Sequence, residues 1–148
     1  MLITTNIEQY LQKILIPVRL ACTTPSGWPF VLSLWYLYQD GKIYCATQKS
    51  AKIITYLQHN PRVAFEIAAD EPPYCGLRGQ GLVTLAEHLG APILSQLLQR
   101  YEGSTDTPLA QRLLKQQANE IALIITPQTL FQWNFAQRMS GSRTQPCP

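Results

Sequence analysis

Charge is scarce in this chain: only 14% of its residues are Asp, Glu, Lys or Arg, and they balance to a formal +3. The lysines and arginines are scattered, so the continuous basic stripe that a nucleic-acid binder uses to neutralise phosphates is missing. Histidine is almost lacking, with only His59 and His88, and the four cysteines, Cys22, Cys45, Cys75 and Cys147, include no CxxC pair. A zinc site does not follow from that set, and neither does a Ser-His-Asp or Cys-His nucleophile. Asp70, Glu71 and Glu87 make no evident carboxylate pair, which leaves a glycosidase-type dyad without candidates. No apolar run reaches the length of a membrane span, and Met1 to Tyr10 lacks the basic and apolar parts of a signal peptide. The expectation is a cytoplasmic protein with no membrane or nucleic-acid partner, whose cysteines are reduced and act as small buried hydrophobes.

What the chain does have is apolar residues, 46% of 148, enough for the core of one ordinary domain. From Asn6 to Leu15 the apolar positions recur at helical spacing, with Thr5 and Glu8 as a capping-box pair, and Pro17 stops the helix. Val18 to Thr23 reads as a strand that turns at Thr24-Pro25-Ser26-Gly27. Pro29 to Tyr38 is apolar and aromatic almost throughout, and Gln39-Asp40-Gly41 turns it into a strand over Lys42 to Thr47. A strand with so few polar residues is covered on both faces, by a barrel interior on one side and a subunit or cofactor on the other.

The pattern then turns helical, with Ser50 as expected cap, Ile53, Ile54 and Leu57 as the apolar stripe and Asn60-Pro61 as the stop. Strands are expected over Arg62 to Ala68 and Tyr74 to Glu87, the second loosened by Gly76, Gly79 and Gly81. A helical hairpin is expected over residues 91–117, followed by two closing strands, Ile121 to Thr126 and Thr129 to Phe135, with a turn at Pro127-Gln128. Residues 1–135 then form one domain and residues 136–148 a polar, flexible tail. This order of elements predicts an antiparallel barrel, mainly β, with peripheral helices.

Chemistry is best placed at Ala46-Thr47-Gln48-Lys49-Ser50-Ala51-Lys52, which joins a strand end to a helix start. Free amides at a helix N-terminus, with hydroxyls and lysines beside them, make a seat for phosphate; an ordinary Ser cap with two solvated lysines would look the same.

Taken in order, Thr47-x-x-Ser50-x-Lys52, Asn60-Pro61-Arg62-Val63, Asp70-Glu71-Pro72-Pro73-Tyr74 and Gly76-Leu77-Arg78-Gly79-Gln80-Gly81 resemble the pyridoxamine 5′-phosphate oxidase-like split barrels. The resemblance runs from about Val18 to Phe135. It implies a split β-barrel of roughly six or seven strands, working as a homodimer with FMN in the groove between two copies. By position it implies that Thr47, Lys49, Ser50 and Lys52 hold the cofactor phosphate. Leu32, Ser33 and Leu34 would lie along the flavin ring, and Arg78 and Trp133 would reach the cofactor from one chain or the other. The implied activity is that of a flavin-dependent oxidoreductase acting on a small molecule, with no catalytic side chain and no metal. The alternative is a non-catalytic holder of flavin, deazaflavin or haem. Three features depart from the family pattern: the loop from Thr47 to Ser50 is one residue shorter and the helix from Lys52 to Pro61 one longer than the commonest form, which would let Lys49 and Lys52 exchange roles; Ala51 stands where many members are basic; and the tail lacks the Arg-rich and Trp-rich segment of the vitamin B6 oxidases.

Overall fold

The computed structural model describes residues 3–141 and 147. It opens with a helix, α1 (Thr5–Lys13), whose apolar stripe buries Ile7, Tyr10 and Leu11. Its cap is Thr4 rather than Thr5: the Thr4 hydroxyl accepts from the Ile7 amide at 3.5 Å. Strands β1 (Val18–Thr23) and β2 (Pro29–Leu34) then form the expected hairpin, in which Gly27 takes φ +89° and the Trp28 amide donates to the Thr24 hydroxyl.

The apolar stretch expected to run as one strand to Tyr38 is divided. β2 ends at Leu34, and a short strand β3 (Leu37–Gln39) begins after Trp35 and Tyr36. The break has a packing reason, because Trp35 leaves the ladder to stack on Tyr101 at 4.9 Å and Tyr36 turns wholly inward. β3 meets β4 (Lys42–Gln48) through Asp40 and Gly41, both at positive φ, as a two-residue hairpin requires.

Helix α2 (Lys52–His59) and strands β5 (Arg62–Ala68) and β6 (Cys75–Ala86) follow where expected. The helical hairpin is α3 (Gly90–Glu102) and α4 (Pro108–Leu114), the latter capped by the Thr107 hydroxyl. The two closing strands are one strand, β7 (Glu120–Asn134). Pro127-Gln128 makes no turn. Its extra residue is absorbed as a register shift opposite Gln80 and Gly81, a bulge that bends the strand without ending it.

All pairings are antiparallel, in the order β2-β1-β5-β6-β7-β4-β3. The result is a curled sheet, mainly β with peripheral helices, that wraps a core including Leu20, Ile43, Ile67, Leu77, Leu123 and Ile125. Alternation sets the inward face: Val18, Leu20 and Cys22 are buried while Arg19 and Ala21 between them are not. Tyr36 and two residues of α3, Arg100 and Tyr101, hold the segment that leaves α1. Arg100 donates to the carbonyls of Leu11, Gln12 and Ile14, at 2.9, 2.6 and 2.7 Å, satisfying the open C-terminus of α1. Tyr36 adds a bond to the Leu11 carbonyl at 2.8 Å, and burial pushes its phenol well above the usual range.

The expectation of reduced thiols throughout is corrected: Cys75 at the start of β6 is joined to Cys147, with Cα atoms 5.6 Å apart. A tail cysteine far away in sequence carried no strand or turn pattern that could signal the pairing. Cys22 and Cys45 are free and buried, as expected. Apart from Cys147, the expected tail is described only to Gly141, and its remaining residues lie outside the described ones. No helix among the described residues is long and apolar enough to cross a membrane.

Candidate functional site

The end of β4 and the start of α2 are tied down by backbone bonds. The Lys49 amide donates to the Asn119 carbonyl at 2.8 Å, and the Ala51 amide to the Gln48 carbonyl at 3.0 Å. Ala51, not Ser50, occupies the cap position of α2, and no side chain caps it. Ser50 is therefore exposed beside first-turn amides that lack a side-chain acceptor, and Lys52 opens the helix, also exposed. The first turn holds no acidic residue. Both the bare helix end and its positive dipole suit an anion, so the residues present fit a phosphate group. Lys49 is the one partly committed cation here, with its ammonium 3.4 Å from the Glu87 carboxylate.

Thr47 and Gln48 also form part of a pocket of about 340 Å³, with Ser33, Leu34 and Trp35 on one side and Leu94, Leu97 and Leu113 of the helical hairpin on the other. Three of the residues expected at a cofactor, Ser33, Leu34 and Thr47, are thus brought together, although β2 and β4 are not paired with each other. Ser33 points outward, whereas Leu32 and Leu34 pack partly against the core. β2 is an edge strand, so one side of its backbone around Leu32 to Leu34 makes no ladder bonds among the described residues.

The floor of this pocket contains a residue with no signal in the sequence. Glu120 is only 6% exposed, and burial pushes its carboxyl above the usual carboxylate range. It opens a run of apolar residues, Ile121 to Ile125, where a charge reads as an ordinary strand boundary. Gly90 explains how α3 comes so close. A Cβ at that position would overlap the Glu120 carbonyl, so only glycine lets the helix start against β7.

Arg78 and Trp133 meet each other elsewhere. The Arg78 guanidinium lies 4.6 Å from the centre of the Phe131 ring and 5.6 Å from that of Trp133. It borders a larger hollow of about 560 Å³ on the outside of the sheet, with Arg19, Val31, Glu66 and Phe131. Arg19 bridges to Asp70 at 2.6 Å and lies 3.9 Å from Glu66. Val31 is 67% exposed and Phe131 53%, and Trp28 at the tip of the β1–β2 hairpin is 73% exposed. Within one chain the expected site residues therefore fall into two groups on two faces.

No family model matches the sequence, and no curated protein matches it. Solved structures do match by shape. A conserved hypothetical protein from Mycobacterium tuberculosis superposes with a TM-score of 0.78 at 19% identity, over 99% of this chain and 93% of the other. An F420 reductase gives 0.69 at 21% identity, over 83% of this chain and 94% of that one. A proposed pyridoxamine 5′-phosphate oxidase from Listeria innocua gives 0.61 at 17%, over 84% and 90%. The fold is the split barrel of the pyridoxamine 5′-phosphate oxidase-like proteins.

Proposed function

We propose that the protein is an FMN-binding oxidoreductase acting on a small molecule, with the cofactor in a groove completed by a second copy of the chain. The observation that carries this reading is the bare N-terminus of α2, flanked by exposed Ser50 and Lys52 and opening onto the pocket at Thr47. A phosphate there accepts bonds from the first-turn amides and the Ser50 hydroxyl, and Lys52 supplies the countercharge. Thr47 holds the strand end beside it, and Lys49, though paired with Glu87, lies near enough in sequence to add charge. The open edge of β2 from Leu32 to Leu34 offers backbone groups to a flat ring system, while the apolar walls of the pocket exclude water. The flavin, when bound, supplies the hydride chemistry.

The outer face around Arg78 supports the second half of the proposal. Exposed Val31 and Phe131 surround a hollow whose rim is charged, which suits burial against a second copy. In that homodimer Arg78 and Trp133 of one protomer serve the groove of its partner. The similarity to an F420 reductase favours one second reading, a deazaflavin in the same seat.

The test is an absorbance scan of the purified protein before and after loading with FMN and desalting. Retained bands at about 370 and 450 nm, as an oxidised flavin carries, are expected; a colourless protein after loading overturns the FMN reading. Retention of a deazaflavin in its place selects the second. Ser50→Ala with Lys52→Ala should weaken FMN retention by roughly tenfold or more, the loss of one or two charge-assisted bonds, while the melting temperature holds. Dilution to monomers should empty the groove, and a monomer with full flavin content contradicts the shared site.

A further inference from the structure

Glu120 is the one charged residue buried among the described residues, at 6% exposed; no hydrogen bond or ion pair holds its carboxylate, and its oxygens, unlike the sealed Tyr10 Oη and Arg100 Nε, keep a contact with water. A carboxylate that is largely shielded from water and served only by the water that reaches it gains from a fixed donor. Lys49, whose backbone is bonded to the neighbouring Asn119, directs its ammonium to Glu87 instead. Glu120 lines a pocket and is not part of the hydrophobic core clusters. Leu34, Trp35, Leu94, Leu97 and Leu113 line the remainder of a space of about 340 Å³, within the range of small-molecule sites. The site is built, since Gly90 is needed to bring α3 down against the Glu120 backbone.

We propose that this pocket binds a small, mostly apolar molecule bearing a protonated amine, with the Glu120 carboxylate as its anchor. Charge selects the ligand class. An anionic group entering the pocket meets Glu120 and is repelled, whereas the bare end of α2 beyond Thr47 accepts one. A neutral hydroxyl satisfies the carboxylate only in part, and an ammonium donates a bond and cancels the charge together. The aromatic face of Trp35 and the leucines from α3 and α4 remove the hydrocarbon part of the ligand from water. One end of the groove thus takes an anion and the other a cation. As a substrate subsite the pocket rests on the cofactor reading above; as an amine-binding site it does not.

The experiment titrates the cofactor-free full chain with 2-phenylethylamine, 2-phenylethanol and 3-phenylpropionate, reading tryptophan fluorescence and melting temperature. Trp35→Phe identifies the fluorescence change that belongs to the pocket. The amine should bind at least about tenfold tighter than the alcohol, and the carboxylate should not bind. Glu120→Gln should erase the preference for amine while retaining the alcohol, and Leu113→Trp, which fills the pocket from α4 and leaves Glu120 in place, should abolish both. Equal binding of amine and alcohol, an undiminished amine preference in Glu120→Gln, or no binding of any probe overturns the proposal. The Ser50→Ala, Lys52→Ala protein separates the two readings, for it should lose FMN and keep the amine. Failure of FMN retention alone leaves amine binding intact.

Discussion

The groove at the end of β4 and the hollow around Arg78 differ in how the chain finishes them. The first is walled on one side by α3 and α4 of the same chain, has the buried Glu120 among its lining residues, and is lined by leucines that are themselves part of the helical packing. The second is lined by strands alone. Its aromatic and aliphatic side chains face outward, Arg19 is paired with Glu66 and Asp70, and Arg78 lies over the Phe131 and Trp133 rings. A pocket whose shielded carboxylate has no fixed donor suits a ligand, whereas an outward apolar face bordered by paired or ring-stacked charges suits a protein surface. The two faces therefore call for different partners, and they can be disturbed separately.

The largest effect should come from Gly90→Ala. The added Cβ overlaps backbone atoms of Glu120 and Ile121, which cannot swing aside as a side chain could. Overpacking of this kind costs about 3 kcal/mol or more, and because α3 must lift, Trp35 fluorescence and amine binding should be lost with the stability. A melting temperature within error of the parent would show that α3 is not held against β7.

Next in size is Arg100→Ala, which leaves three carbonyls at the end of α1 without their charged donor and should cost roughly 2–3 kcal/mol in denaturant unfolding. Neither pocket contains Arg100, so ligand binding at both faces should survive in the folded fraction. Loss of binding without loss of stability would break the separation.

A smaller effect is expected from Glu120→Gln, and its sign depends on pH. Burial raises the folded carboxyl above its unfolded value, so its contribution to stability is fully present below the ordinary carboxylate range and is lost as pH rises through the folded value. The glutamine variant escapes that loss. Its melting temperature relative to the parent should be higher at pH 7 than at pH 4, and a difference independent of pH would mean that Glu120 is not desolvated.

The smallest effect on stability belongs to Arg78→Ala, because exposed cation–π contacts contribute only about 0.5–1 kcal/mol. Its consequence should be read in sedimentation instead, as a weakened dimer at unchanged monomer fold. A protein that stays monomeric both before and after the change would remove the outer face from the site.

Much of the split barrel was legible in the chain, since strand alternation, the Asp40-Gly41 turn and the helical stripes of α1 to α4 are all local signals. The readings that failed were those in which a long-range contact overruled a local one. Trp35 and Tyr36 look like strand residues, yet stacking on Tyr101 and bonding to α1 take them out of the ladder. Pro127-Gln128 looks like a turn, yet pairing with β6 on both sides keeps β7 continuous through a bulge. Ser50 looks like a cap, yet the Lys49 amide is drawn to Asn119 and Ala51 takes the position.

By itself the sequence determined the order and type of the elements and the composition of each face, though not every strand boundary, because periodicity and turn chemistry act within a few residues. It also singled out the end of β4 as the expected phosphate seat, since the residues proposed for it are contiguous. Only the tertiary structure decided what stands opposite that seat. Glu120, Gly90, Leu94 and Leu113 come from segments whose local patterns carry no trace of a pocket, and they meet Ser33 and Thr47 only because β7 pairs with β4 and α3 packs across both. Hydrophobic burial is non-directional, so the pattern of apolar residues says that a helix will be covered, and the curl of the sheet decides by what.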